Sequence, residues 1–185
     1  MDRGEATQNP LAPSLPFSPP AGIDPVFGGV LVTLRERHVD MIDLVKDLSG
    51  EALSWRPVPR ASHLSGLVHH IIEVELFTVR AADGDETAWH GRDGSSLEID
   101  ADGGALIDLV VSADREMFSI LATLPGDRLR ERQSGHDRTF GSALVEESEH
   151  SAIHVGQMQL TRHLWAAAHS DIPDAYEHWG WQGAR

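Results

Sequence analysis

The stretch HLSGLVHHIIEVELFTVRAA, residues 63–82, decides the fold. Leu64, Leu67, Val68, Ile71, Val74 and Leu76 recur at the spacing of one helix face. They predict a helix from about His63 to Ala82, with Ser62 as its N-cap. The apolar face is broad, as suits a helix enclosed by neighbours. In its middle stand His69 and His70. An imidazole buried there costs free energy unless it is hydrogen-bonded or coordinated. Adjacent helical residues differ by about 100° around the axis, so only one of the pair points fully inward. Periodicity alone prefers His70 only slightly.

Working outward, the same period appears three more times. Before the opening stretch, Asp24 can cap a helix with Pro25 at its first position. Val30, Leu31, Leu34, Met41, Leu44, Val45 and Leu48 follow, and Gly50 supplies the expected stop. The two prolines of ALSWRPVPRAS (52–62) make a loop with Trp55 as its anchor. A third helix is expected from about Ala105 to Leu124, ending at Pro125–Asp127. After the polar RLRERQSGHDRTF (128–140), a fourth runs from about Gly141 to Ala168. No strand alternation rises above noise.

The pattern therefore predicts an all-α chain, a four-helix bundle. The Gly- and Asp-rich connection over residues 83–103 spans roughly 60 Å at 3.3 Å per residue, enough to cross a bundle and let the second and third helices run parallel. Residues 1–22 carry Pro10, Pro13, Pro16, Pro19 and Pro20 and read as a disordered or loosely draped leader. Residues 23–170 form the expected bundle. Residues 171–185, with Tyr176, Trp179 and Trp181, read as a tail that packs back on it.

Composition narrows the chemistry. The 185 residues carry 15 basic and 29 acidic side chains, a formal charge of −14, which argues against nucleic-acid partners. No apolar run of membrane-spanning length occurs, and the N-terminus has no basic or apolar signal region, so the expectation is cytoplasmic. There is no Cys. A transition-metal site would have to use His and carboxylates. No phosphate-binding Gly-rich loop or nucleophile-elbow motif is present.

Histidine is abundant, at 11 residues. In EHSAIHVGQMQ (149–159), His150 and His154 stand four apart on the fourth helix, and Gln157 follows one turn on. At that spacing two imidazoles share a face and can converge on one ion. Gln157 could orient a ligand or a bound water. His38 and His163 read as helix-surface or interface residues, and His90 and His136 as loop residues. His63 follows the expected cap, and His169 and His178 stand near the C-terminal end.

Three segments carry a family resemblance. SWRPVP (54–59), HLSGLVHHIIEVE (63–75) and EHSAIHVGQ (149–157) resemble, in this order, segments of the DinB/YfiT-like superfamily of metal-dependent helical bundles. The likeness extends over about residues 24–168. It implies an up-down-down-up path with a long second-to-third crossover. It implies metal ligation by His70, His150 and His154, the IIEVE that follows choosing His70 over His69. It further implies a divalent metal such as zinc or nickel, a possible homodimer, and in some members a small thiol cosubstrate used for S-transfer. Other members are isomerases, or the metal-binding half of a sulfoxide synthase.

Three neutral imidazoles leave a divalent metal net positive with open positions, which suits ionising a thiol. With no Cys in the chain, the thiol would arrive as cosubstrate. The leading expectation is a metal-dependent S-transferase acting on a small molecule. The alternatives are a hydrolase or isomerase that uses water, and a non-catalytic metal-binding or structural bundle. Gln157 and Glu73 are candidates to support or join the ligands, with an exposed helix-face charge as the simpler reading of Glu73. No general base is assigned.

Overall fold

The computed structural model describes residues 8–11, 18–19, 23–85, 95–133 and 136–169. Among these, regular structure is helical, with five α-helices and two short 3-10 turns. The first helix, α1 (Pro25–Val45), starts as expected: Asp24 accepts a hydrogen bond from Val26 N at 2.8 Å, and Pro25 needs no partner at the first position. Its end differs. Gly50 is not a stop but the first residue of a short helix, α2 (Gly50–Ser54), capped by Ser49 through Ala52 N. The chain needs no glycine stop because Arg162, reaching across from the fourth long helix, donates to the terminal carbonyls of Asp43 and Leu44.

The helix of the opening stretch, α3, runs Leu64–Asp83. Its cap is His63, not Ser62: His63 Nδ1 accepts from Gly66 N at 3.0 Å, so the ring does what a serine hydroxyl would. Gly84, at φ 104°, closes the far end in the left-handed region. The next helix, α4 (Gly103–Leu121), begins two residues before the expected start because Asp102 caps Ala105 N at 2.8 Å. The last, α5 (Phe140–Ala168), opens with a reciprocal cap between Thr139 and Ser142. Its 29 residues extend about 43 Å at 1.5 Å per residue. The polar stretch before it is partly ordered, with a 3-10 turn at Gly126–Arg130 and one bridge between Arg132 and Thr139. The Arg128 guanidinium lies 4.2 Å over the Phe140 ring.

Each of α1 and α3 packs against both α4 and α5. The core between them is filled by Leu31, Met41, Ile71, Leu106, Met117 and Met158, all fully buried. Each such side chain contributes about 1.5–3 kcal/mol relative to exposure. Trp55 anchors its loop as expected, edge-on to Trp165 with ring centres 5.7 Å apart.

The described part of the leader is not loosely draped. Asn9 is buried and donates to the Val39 carbonyl at 2.9 Å, and Leu11 joins the core cluster. A single polar anchor and one leucine hold this piece despite the surrounding prolines. Residues 1–7, 12–17 and 20–22 of the leader, the middle of the expected crossover (86–94) and the aromatic tail (171–185) lie outside the described residues. No helix among the described residues is long and apolar enough to cross a membrane.

Candidate metal centre

The face of α3 that carries His70 meets the face of α5 that carries His150 and His154. One nitrogen from each ring lies within 4.8 Å of the other two, and all three residues are half-buried. Ring centres are 5.2 Å apart for His70 and His150, 4.9 Å for His70 and His154, and 4.4 Å within the α5 pair. His69 is not part of this group. It lines a different cavity, and of the two adjacent histidines it is His70 that stands beside the α5 pair.

Two side chains hold the rings on α5. Gln157 Oε1 accepts from His154 Nδ1 at 2.8 Å, and Glu147 Oε1 accepts from His150 Nδ1 at 2.9 Å. With Nδ1 of each ring as the donor to these oxygens, both Nε2 atoms are left as lone-pair acceptors. Those two Nε2 atoms face each other at 2.9 Å. At that separation the two nitrogens share either a proton, as a hydrogen bond, or a metal ion. The donor set therefore fits a divalent metal. Burial pushes the His154 pKa down; the Gln157 hydrogen bond opposes this and the neighbouring His150 adds to it. The balance keeps His154 neutral, the form that ligation requires.

Gln157 is hydrogen-bonded to His154. Glu73 is exposed, in line with its simpler reading as a helix-face charge, makes no hydrogen bond to the three histidines, and lines the pocket beside them. Glu147, which the sequence reading passed over, takes the supporting role instead. It is buried at 6% exposure, with Thr78 Oγ1 at 3.5 Å on its other side. Its signal was available, since it precedes His150 by three residues on the same helix face. The pocket has a volume of about 370 Å³ and extends from His70 and His150 past Val74 and Thr78 to Arg138, which is ion-paired with Glu146.

A second polar group lies deeper in the bundle. His38, expected at a helix surface or an interface, is 1% exposed and joined to two buried carboxylates: Nε2 to Glu75 Oε2 at 2.8 Å, and Nδ1 to Asp114 Oδ1 at 2.9 Å. Arg35 Nε stands 2.6 Å from the same Asp114 oxygen, and Ser151 Oγ donates to Glu75 Oε1 at 2.6 Å. Burial by itself lowers the His38 pKa. The charge of Glu75, the hydrogen bonds to Asp114 and Glu75 and the charge of Asp114 outweigh it, and the pKa is pushed up to about 9. His38 is thus an imidazolium clamped between helices, and its ring nitrogens are fully used. It ties α1 to α3 and α4, and Glu75 carries the link on to α5 beside His150.

A family model of the DinB superfamily matches residues 33–158, more than half of the chain and all of the segment that holds the three histidines and Gln157. The chain belongs to the DinB superfamily. No curated protein and no solved structure matches it.

Proposed function

We propose that this chain is a metal-dependent enzyme in which His70, His150 and His154 hold a divalent metal, zinc or nickel, and that it activates a small thiol cosubstrate for S-transfer to an electrophilic small molecule. The observation that carries the reading is the facing pair of Nε2 atoms at 2.9 Å, with both Nδ1 protons engaged by Glu147 and Gln157. Bound there, a divalent metal would supply the positive charge that ionises a thiol at neutral pH. The chain's own residues supply the rest. Glu147 and Gln157 hold the rings in orientation. The pocket, within the ~300–1,000 Å³ range of small-molecule sites, offers the apolar wall of Val74 and the polar end at Arg138 and Glu146.

The up-down-down-up path belongs to the same reading, and six contacts support it. His38 meets Asp114 and Arg35 meets Phe118, as antiparallel α1 and α4 require. Arg80 pairs with Glu116 while Glu75 and Asp114 share His38, as parallel α3 and α4 require. Glu75 with Ser151, and Thr78 with Glu147, fit antiparallel α3 and α5.

Glu73 favours a second reading. An exposed carboxylate at the mouth of the pocket is placed to take a proton from water, as a hydrolase or isomerase would use it. Assays of the metal-loaded protein with glutathione, bacillithiol and mycothiol against a chromogenic electrophile separate the two. Thiol-dependent turnover that disappears in His154→Ala supports S-transfer. Turnover with water alone, unaffected by any thiol, supports the second reading and contradicts the first.

A further inference from the structure

The prolines of the leader recur at positions 10, 13, 16 and 19, every third residue, ahead of α1. Chain of that composition has little conformational freedom to lose on docking. Two described pieces of it are held against α1. At one, Asn9 is 7% exposed and its side chain is bonded at both ends. Nδ2 donates to the Val39 carbonyl at 2.9 Å, and Oδ1 accepts from Leu11 N at 3.0 Å. Leu11 is buried in the core cluster, while Gln8 and Pro10 are exposed. At the other, Pro19 lies over Gly28. Its Cγ and Cβ are 3.2 and 3.3 Å from where a Cβ at 28 would stand.

Gly28 and Val39 are three helical turns apart and lie on one line along α1. Arg35 stands close to the same line and pairs with Asp114 of α4. The line is therefore the edge of α1 toward α4. Asn9 meets its far end and Pro19 its beginning, so the leader runs antiparallel to α1. Glycine within a helix costs about 1 kcal/mol relative to alanine, and here it leaves room for Pro19. A buried amide without partners costs about 1–3 kcal/mol, so a position that buries one and satisfies both its ends selects asparagine. The contact thus combines a buried amide read by hydrogen bonds, an apolar anchor two residues on, and a helix surface cut back to admit a proline. Only two side chains of residues 8–11 are buried, so releasing them costs far less than unfolding the bundle.

We propose that this edge of α1 is a peptide-recognition groove for an Asn-Pro-Leu segment, with the leader as its ligand in cis. The leader can leave the groove, and the same pattern carried by another chain can take its place. The asparagine reads the Val39 carbonyl, the proline fixes the backbone between the two anchors, and the leucine fills the apolar position. The groove is separate from the three histidines, which stand on α3 and α5.

A fluorescein-labelled peptide of residues 5–20 tests this by fluorescence anisotropy against the full chain. In the full-length double variant Asn9→Ala with Leu11→Ala, the resident leader loses both anchors, and the peptide should bind saturably. The wild type, whose own leader competes as a tethered ligand, should bind the peptide at least about tenfold more weakly. A peptide carrying the same two substitutions should lose about tenfold or more in affinity for the double variant. Asn9→Ala alone, which keeps Leu11 in the core, should bind the peptide to an intermediate degree. Its result decides the matter even if the double variant fails to fold. No saturable binding to either variant, equal binding by the wild type, or equal binding of the altered peptide would each overturn the proposal.

Discussion

His38 Nε2 lies 2.8 Å from Glu75 Oε2, with both side chains sealed from solvent at the centre of the bundle. The folded pKa of His38, about 9, stands above the value near 6.5 expected of the unfolded chain. The folded state therefore holds a proton that the unfolded state releases above about pH 6.5. Its contribution to stability is complete below that pH and is lost as pH rises through about 9. The urea midpoint of the wild type should fall between pH 6.5 and 9.5, and His38→Gln should flatten that slope. An unchanged slope in the variant would show that another group sets it.

Glu75 carries the same network in the opposite sense. Glu75→Leu leaves the His38 charge with Asp114 as its one remaining carboxylate and strips Ser151 Oγ of its acceptor. Breaking a buried pair on one side costs about 3–5 kcal/mol. Chemical denaturation should show a midpoint lowered accordingly with an unchanged m-value, and far-UV circular dichroism should remain helical.

Gln157 is exposed, so its loss should cost little stability. Its role is to hold the His154 ring through Nδ1. Gln157→Leu should weaken metal affinity by about 10–100-fold, the usual effect of removing such an outer partner. Competition against a chromogenic chelator measures this. Affinity equal to the wild type would remove Gln157 from the account.

Gly66 sits in α3, where alanine would ordinarily gain close to 1 kcal/mol of helix propensity. Here the added Cβ meets the Leu97 backbone, which a rotamer change cannot move. Gly66→Ala should therefore lower the thermal midpoint and displace the Ser95–Glu98 turn. A variant as stable as the wild type would mean that the close approach is not maintained.

Much of this architecture was legible in the residues. The four long helices follow from periodicity, and the α5 pair from its spacing of four. Helix ends were less so, because two depend on side chains that sequence patterns rank low as caps: His63 at the start of α3, and Arg162, which is remote in sequence, at the end of α1. The family likeness pointed to His70, and the structure places it beside the α5 pair.

The buried charges were missed for a different reason. Glu75 is flanked at three and four residues by Ile71, Ile72 and Val79, and His38 by Leu34, Met41 and Ile42. Those neighbours already put both side chains on inward faces. A general expectation that charged groups lie outside hid the fact that each is the other's partner. Partners 37 positions apart cannot be paired by helical spacing.

Metal analysis of the full chain, grown with ample zinc and nickel and purified without chelator, tests the central claim most directly. The wild type should retain about one equivalent of divalent metal per chain, as a site built from three imidazoles would. His154→Ala should retain less than about a tenth of that, with its helical circular dichroism intact. A wild type below a tenth of an equivalent, or a His154→Ala protein that keeps its metal, would contradict the account.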